Sequence, residues 1–478
     1  MSDFSTLLSE YIHSKNIKTY SLAQYCGLDR SNMYKIISGK RNLPSAEILD
    51  KISRFLHLSQ IEREELEEAY TISLVGHDTY FRRKAVLDFF NNISLSRQNI
   101  PEGTYEITSH FDFQDSTFST GRTEIDCALL HIITAESNTE HPTFSLMIPP
   151  EFHFVRDLLI ALGHTNTKMK IRHILCLNNN NDVPDSLKNH NLNCLKNIFP
   201  MYSCDFQYES YYYYDNILSK SSRLALFPFM IITSRHACLL SSNLEKGIFF
   251  ERLNIVRQLQ NTFDQYQRSC SLFLKQYSDP FTLLDYVSSP AQDHSAGFSF
   301  QMTPCLTPFL NKAILEKYIC KDIPDREVFI DTLLEQCSAV RRSLHSNSVN
   351  FIFSLDGIRS FMNTGRVNEY PSELYIPFEK EDRVYLLRQL YTACKTHPFR
   401  MMKHNIGDIN NEIFLHITHK TGYILFYTYT RKNIVYLNIE ESGLLLTFWD
   451  FCENLDPNLF YPKKTALDLI EQILEDYK

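Results

Sequence analysis

The chain has 478 residues, of which 44% are hydrophobic and 22% charged, and its formal net charge is −8. This length and composition are typical of about three globular domains with sizeable cores. No run of about eighteen apolar residues is present, so no membrane span is expected. The first residues, MSDFSTLLSEYIHS, lack the basic and apolar regions of a secretory leader. The twelve cysteines include no Cys-x-x-Cys pair, which indicates reduced core residues of a cytoplasmic protein, without a zinc site or a disulfide framework.

The clearest local pattern lies between residues 19 and 45, where apolar residues recur at helical spacing on both sides of a glycine. Gly27 can adopt the positive φ that ends one helix, and Asp29 can cap the amides that open the next. We predict that the second helix spans Arg30 to Ser38. The pattern predicts a helix-turn-helix. The residues expected to face inward are Leu22, Ala23, Cys26, Met33, Ile36 and Ile37.

Polar and basic residues occupy the solvent side of this second helix and the loop after it. They are residue types that hydrogen bond to base edges and phosphates in a major groove. Residues 15–54 contain eight basic and three acidic residues, and this local charge of +5 suits phosphate neutralisation. The candidate groove-reading residues are Arg30, Ser31, Tyr34 and Lys35. The candidate phosphate-binding residues of the loop are Lys40, Arg41 and Asn42.

Three further helices are predicted around this pair. The first is amphipathic and carries Phe4 and Leu8 on its apolar face. Another spans Ala46 to Leu56, with Ser45 as its cap, and the last spans about Gln60 to Tyr70. The five helices are expected to form a compact bundle.

The segment LAQYCGLDRSNMYKIISGKRNLPS resembles the Xre/Cro-type helix-turn-helix family of bacterial and phage repressors. The resemblance covers roughly the first 70 residues and implies binding to double-stranded DNA. It places the groove-reading positions on the four helix residues given above and the phosphate-binding positions near Thr19, Lys40 and Asn42. Ile37 departs from the family, which often has a glutamate there. A helical bundle that never touches DNA is the alternative interpretation.

Residues 71–103 are interpreted as a helical linker. Apolar residues between Val86 and Ile93 have helical spacing, and the basic triplet Arg82, Arg83 and Lys84 precedes them. The triplet could contact DNA, but a solvated helix face is the preferred interpretation.

From about residue 104 the apolar period changes from helical to alternating. We interpret TYEITSHFDF, ALLHIITAES and TFSLMI as strands, followed by PPEFHFVRDLLIAL and NLNCLKNIF as helices with the strand KIRHILCLN between them. The strand SCDFQYESYYYYD comes next, and LALFPFMIITSRHACLLSS is read as two strands. We predict one long helix for FFERLNIVRQLQNTFDQYQRSCSLFLKQY. Alternating strands and helices predict an α/β body with a mixed sheet.

A similar order of helix, strands and helix recurs over roughly residues 375–455, which indicates two related modules. The predicted fold is therefore multidomain, with an all-α helix-turn-helix head followed by an α/β body. The expected boundaries are 1–70 for the head, 71–103 for the linker, 104–290 for the first module and 291–478 for the second.

The pattern FPFMIIT, ACLLSSN and a following long helix resembles one lobe of the phospholipase D-like fold. That family also includes ligand-sensing domains of transcription regulators, and its nucleophile requires a His-x-Lys pair. In the corresponding segments, His236 is followed by Ala237 and Cys238, and His419 by Lys420 and Thr421. The resemblance therefore implies a sensor fold that has lost its catalysis.

Candidate ligand-binding residues of the body are fewer and less specific. Tyr211 and Tyr213 lie in a run of tyrosines beside carboxylates, which could surround a cationic or sugar-like effector, although an ordinary strand of packed and exposed tyrosines is the preferred alternative. Arg366 could clamp an anionic effector from a loop. His416 and His419 are expected on opposite faces of a strand, so no metal site is predicted there.

We expect a cytoplasmic transcription regulator that binds a palindromic operator as a homodimer under the control of an effector. No catalytic residues, cofactor, metal or membrane partner are expected, so the chain is not expected to be an enzyme. The alternatives are a protein-interaction adaptor and an unrecognised enzyme that carries a helix-turn-helix head.

Overall fold

The computed structural model describes residues 3–96, 116–178, 189–215, 226–277, 296–346, 348–367, 369–406, 413–428 and 434–477. These residues divide into two compact units, with the division between Ala85 and Val86. The first unit is all-helical and the second contains a large mixed sheet, which confirms the predicted fold class. None of the described helices is long and apolar enough to cross a membrane.

The first unit contains the five helices that the apolar periodicity predicts, and a sixth helix begins in this unit and continues past Val86. The six helices are α1 (Asp3–Ser14), α2 (Thr19–Cys26), α3 (Arg30–Ile37), α4 (Ala46–Phe55), α5 (Gln60–Val75) and α6 (His77–Ser96). Helix α5 extends five residues beyond the predicted end at Tyr70. One core of buried apolar residues holds the first five together, among them Leu8, Leu22, Met33, Ile36, Ile52 and Leu66.

Capping residues fix the ends of these helices. Gly27 has φ 72° in the left-handed region, and the Leu28 amide beyond it donates to the Ala23 carbonyl (2.9 Å), which closes the last turn of α2. At the start of α5, Ser59 and Glu62 form a reciprocal capping box. The sequence therefore determines where α2 ends and where α5 begins.

The described strands of the second unit form a single mixed sheet. Its order is β1-β7-β6-β5-β2-β3-β4-β8-β14-β13-β12-β9-β10-β11. The strands of the first half are β1 (Ser116–Thr120), β2 (Thr143–Met147), β3 (Lys170–Leu177), β4 (Gln207–Tyr214), β5 (Phe229–Ile232), β6 (Ala237–Leu240), β7 (Lys246–Phe250) and β8 (Ser271–Tyr277). Those of the second half are β9 (Gly297–Gln301), β10 (Val349–Ser354), β11 (Phe399–Met402), β12 (Phe414–Thr418), β13 (Gly422–Tyr427) and β14 (Ile434–Ile439).

The sheet contains the same six-strand arrangement twice. The order β7-β6-β5-β2-β3-β4 is matched by β14-β13-β12-β9-β10-β11. In each run the first three pairings are antiparallel and the last two are parallel. This repetition agrees with two related modules, while the predicted boundaries at residues 70, 103 and 290 remain predictions.

Strand β8 joins the two runs because it pairs antiparallel with both β4 and β14. It follows that β4 and β14 run in the same direction. The carboxyl ends of β2 and β3, which are parallel to β4, therefore lie at the same edge of the sheet as the carboxyl end of β14.

Helices cover this sheet, and their buried residues form its cores. Phe89 and Phe90 of α6 stack edgewise or tilted against Phe199 and Phe448, with ring centroids 5.4–6.0 Å apart. The helices are α7 (Arg122–Ser137), α8 (His153–Gly163), α9 (His190–Tyr202), α10 (Leu253–Arg268), α11 (Lys312–Tyr318), α12 (Arg326–His345), α13 (Leu355–Thr364), α14 (Lys380–Thr396), α15 (Ser442–Glu453) and α16 (Lys463–Asp476).

Two of the predicted elements of the body are wrong. ALLHIITAES lies within α7, where Ile125, Ala128, Leu129, Ile132 and Ile133 are buried at helical spacing. The segment predicted as one long helix contains three elements in the structure. It starts with the end of β7, continues as α10, which ends at Arg268, and finishes as β8, which starts at Ser271. Pairing of β8 with two neighbouring strands overrides the local helical pattern there. The predicted strand TYEITSHFDF lies outside the described residues.

Candidate nucleic-acid interface and candidate ligand sites

The start of α3 is set by a side-chain cap. The Asp29 carboxylate accepts from the backbone N–H of Asn32 (2.7 Å) and from its side-chain amide (2.5 Å). Met33 and Ile36 are buried in the core of the unit, while Arg30, Ser31, Tyr34 and Lys35 are exposed. The four candidate groove-reading residues thus share the solvent side of α3.

Tyr34 connects the start of α3 to the start of α2. The Arg30 guanidinium lies 5.5 Å from the centre of the Tyr34 ring, and the Thr19 side chain lies near the Tyr34 hydroxyl. The neighbouring Arg30 guanidinium lowers the pKa of the Tyr34 hydroxyl. Three predicted DNA-binding residues from two helices therefore meet at one exposed point of the unit.

The loop after α3 is folded back on the helix. Gly39 has φ 71°, and the Lys35 carbonyl accepts from the Lys40 amide (2.8 Å) and the Arg41 amide (3.2 Å). The Arg41 guanidinium donates to Oδ1 of Asn32 (2.6 Å). Asn32, which the sequence analysis did not select, thus links the cap of α3 to the basic loop. Its position three residues after a capping aspartate is the pattern that could have indicated this role.

Most of the positive charge of this region is not neutralised within the unit. Lys15 pairs with Glu62 (3.0 Å) and Arg54 with Asp50 (2.6 Å). No such carboxylate partner occurs in the described part of the chain for the basic residues on and around α2 and α3. These unpaired cations are Lys18, Arg30, Lys35, Lys40 and Arg41.

The body contains a polar cleft of about 470 Å³ between α10 and the amino ends of β2, β3 and β4. Arg172 on its wall donates to Asp264 (2.9 Å), Gln267 (2.8 Å) and Ser145 (3.0 Å). Lys170 and Arg257 also line the cleft, and their side chains have no partner among the described residues. Glu209 is the one carboxylate among the lining residues of the described chain.

The three candidate effector residues are not in one place. The Tyr211 hydroxyl donates to Glu209 (2.7 Å), so this tyrosine adjoins the cleft. Tyr213 packs against a hydrophobic cluster that includes Val256 and Phe263. Arg366 donates to the carbonyls of Ser372 and Tyr375 (both 3.0 Å) and lies over the Tyr375 ring, so it supports a loop of the second module.

The histidines of the segments that resemble a phospholipase D-like lobe lie in unlike surroundings. His236 Nε2 is 3.8 Å from Glu251, and burial lowers its pKa. The His419 ring stacks on Trp449 with 3.6 Å between ring centres. His416 lies in β12, where its ring stacks on Tyr423 and burial lowers its pKa to about 4.

A second polar cluster lies at the carboxyl edge shared by β3, β4 and β14. The Tyr214 hydroxyl donates to Glu441 (2.6 Å), the cap of α15, which also accepts from the amides of Gly443 and Leu444. Asn191 and Asn178 exchange two hydrogen bonds, of 2.8 and 2.9 Å, between the end of β3 and the start of α9. Sequence analysis missed this cluster because its members come from distant segments.

Residues 8–62 match the model of the Cro/C1-type HTH DNA-binding domain. The match includes α2, α3 and all five unpaired cations, and it confirms the resemblance stated from the sequence. The chain therefore carries a Cro/C1-type helix-turn-helix domain, a DNA-binding class of domain. No curated protein matches the chain.

Two solved structures are similar to the chain at low TM-scores. TrmBL2, an archaeal chromatin protein with a novel mode of DNA binding, is 12% identical, with 53% of this chain and 87% of that chain covered and a TM-score of 0.22. Phosphatidylserine synthase of Haemophilus influenzae Rd KW20 is 8% identical, with 77% and 93% covered and a TM-score of 0.22.

The expectation that the chain is not an enzyme is corrected, because a phosphatidylserine synthase is among these neighbours. At this TM-score the likeness assigns no activity to the chain.

Proposed function

We propose that the protein is a sequence-specific transcription regulator that binds DNA through α3. The observation that carries the proposal is the exposed group of cations around α2 and α3 that have no carboxylate partner among the described residues. Their charge would be neutralised by DNA phosphates, with release of counterions. Arg30, Ser31, Tyr34 and Lys35 are the proposed base-reading residues, and Thr19, Lys40, Arg41 and Asn42 the proposed phosphate-binding residues.

The regulator is proposed to act as a homodimer on a palindromic operator. A symmetric dimer presents two recognition helices, so half-sites related by a two-fold axis lie about one helical turn apart or a multiple of it. The experiment below tests the dimer and the palindromic operator together.

Control by an effector is proposed to come from the body. The cleft between α10 and β2–β4 is large enough for a small polar molecule. Lys170 and Arg257, which have no partner among the described residues, favour an anionic ligand, and Tyr211 adjoins the cleft through Glu209. The ligand changes operator affinity if it binds the state that is competent to bind DNA and the other state with different affinities. The ratio of these two ligand affinities sets the size of the change.

The experiment that tests the proposal is genomic DNA capture by the purified full chain, followed by binding to the best site over a series of salt concentrations. A palindromic site bound by two chains, with affinity that falls steeply as salt rises, supports the regulator. Absence of an enriched site, or binding indifferent to salt, contradicts it and favours a protein-interaction adaptor.

The effector proposal is tested with a panel of sugar phosphates and nucleotides in a thermal-shift assay. A compound that raises the melting temperature of the wild-type chain, and not that of Lys170→Gln/Arg257→Gln, supports the cleft. The same compound must change operator affinity. A panel without such a compound, or a shift that the double variant retains, contradicts an anionic effector in this cleft.

A further inference from the structure

Three potential metal ligands meet at the carboxyl edge of the first module, outside the DNA-binding residues and the cleft. Glu151 lies in the loop after β2, and His190 and Cys194 lie in the first turns of α9, which follows β3. One ligand atom of each residue lies within 4.8 Å of the other two. Because β2 and β3 are parallel neighbours, the sheet itself brings these segments together, at the edge where open α/β sheets bind ligands.

The chemistry of the three side chains is that of a transition-metal site. His190 and Cys194 are four residues apart and so lie on one face of α9, with the Cys194 sulfur 3.3 Å from His190 Nε2. A thiolate, an imidazole and a carboxylate are ligands that Zn²⁺ and related borderline cations accept together. Ca²⁺ and Mg²⁺ prefer sites made of oxygen atoms alone.

The electrostatic surroundings of Cys194 also favour a cation. The side chain is fully buried, and Glu151 and Glu441 both lie close enough to disfavour further negative charge on it. A bound divalent cation would compensate the charges of the thiolate and the carboxylate.

We propose that Glu151, His190 and Cys194 bind one Zn²⁺-type transition-metal ion. Binding replaces the thiol proton of Cys194, which passes to solvent, by a metal–sulfur bond. His190 Nε2 now lies 2.9 Å from the Cys176 carbonyl, and it gives up this hydrogen bond when it coordinates the ion. The ligand atoms need to approach one another to roughly 3.5 Å, the separation that a tetrahedral site requires.

Three protein ligands leave one tetrahedral position for water or a small molecule. The two hydrogen bonds between Asn191 and Asn178 hold the first turn of α9 against the end of β3, next to His190. This fixed start of the helix keeps two of the three ligands in place before the ion binds, which reduces the ordering needed on binding.

The test uses tag-free full-length protein stripped with a chelator and then titrated with Co²⁺ or Zn²⁺. We expect one ion per chain by elemental analysis and a thiolate-to-cobalt absorption band in the near ultraviolet. Cys194→Ser should abolish the band. Glu151→Gln, at an exposed position, should weaken binding by about tenfold or more. Cys270→Ser, which alters a partly buried cysteine elsewhere, is the matched control.

The wild-type result decides whether a metal site exists, and the variants decide where it is. Absence of the thiolate band in wild-type protein overturns the proposal, as does a band that survives in Cys194→Ser. If Cys194→Ser does not fold by circular dichroism, unchanged affinity in Glu151→Gln or His190→Gln overturns it. No readout depends on DNA, so the outcome is independent of the proposed regulator function.

Discussion

The hydroxyl of Tyr214 donates a 2.6 Å hydrogen bond to the carboxylate of Glu441, although the two residues are 227 positions apart. Tyr214 ends β4 of the first module, and Glu441 caps α15 after the last strand of the second. The bond is possible because β4 and β14 run in the same direction on either side of β8. It links the two repeats of the sheet at one edge.

This link predicts a stability cost for either partner. Glu441→Ala should lower the free energy of unfolding of the body by on the order of 2–3 kcal/mol, since two helix amides and Tyr214 lose their acceptor. Tyr214→Phe should cost about 1 kcal/mol. Urea denaturation followed by fluorescence of the single tryptophan, Trp449, reports on the body.

The double variant should show that the two losses are coupled rather than additive. Tyr266→Phe is the control, because this exposed tyrosine should change stability by no more than about 0.5 kcal/mol. Additive losses in the double variant would contradict the link.

The turn of the helix-turn-helix makes a second prediction. At φ 72°, a Cβ at Gly27 would meet no atom within 4 Å, so the cost of Gly27→Ala comes from the backbone conformation alone. We expect about 1–2 kcal/mol of local destabilisation, measured by hydrogen exchange of peptides from residues 3–85. Gly27→Asn should cost less, because asparagine tolerates the left-handed region. Equal effects of the two variants would be inconsistent with this account.

Buried histidines predict acid sensitivity of the body. Burial lowers the pKa of His173 to about 4, from 6.5 for an exposed histidine, while its ring contacts the Tyr208 hydroxyl (2.9 Å) and the Ile148 carbonyl (3.0 Å). The unfolded chain therefore binds a proton at a higher pH than the folded chain does. The resulting stability is present above pH 6.5 and is lost as the pH falls towards 4.

The size of this effect is on the order of 3 kcal/mol for His173. His173→Gln should reduce the loss of stability between pH 7.5 and 4.5, seen by Trp449 fluorescence, relative to the exposed control His141→Gln. A histidine NMR titration that gives His173 an ordinary pKa would rule out the explanation.

The proposed interface separates contacts that read bases from contacts that hold phosphates. Tyr34→Phe removes the hydroxyl that meets Arg30 and Thr19 but no charge, so we expect about fivefold weaker operator binding with an unchanged salt slope. Lys40→Ala should weaken binding to all sequences and reduce the salt slope by about one. Filter binding over a salt series measures both quantities. If the two variants changed the slope equally, the assigned roles would be wrong.

The head was predictable because its information is local. Gly27, Asp29 and the apolar residues of α2 and α3 specify two helices and their turn within fewer than twenty residues of sequence. In the body, ALLHIITAES suggests a strand because it contains only the second part of α7, whereas the helical spacing of buried residues begins at Ile125. Strand β8 forms because it pairs with β4 on one side and with β14 on the other, and no local pattern can reveal pairing between such distant segments.

The candidate sites of the body depend on the same long-range order. Lys170 and Arg257 line one cleft only because α10 packs beside the amino ends of β2–β4. Glu151 and His190 approach one another only because β2 and β3 are parallel neighbours. The sequence suggests Tyr213 and Arg366 as ligand-binding residues. In the structure, Tyr213 packs against a hydrophobic cluster, and Arg366 hydrogen bonds to the backbone of a loop.

The most direct test of DNA binding by α3 compares Arg30→Ala/Lys35→Ala with a charge-matched control, Arg388→Ala/Lys464→Ala, which removes two exposed cations from the body. Binding to the captured operator is measured at several salt concentrations, with folding checked by circular dichroism. We expect the α3 variant to fold and to lose specific binding, while the control binds like wild type. Retention of operator binding by the folded α3 variant would contradict the account.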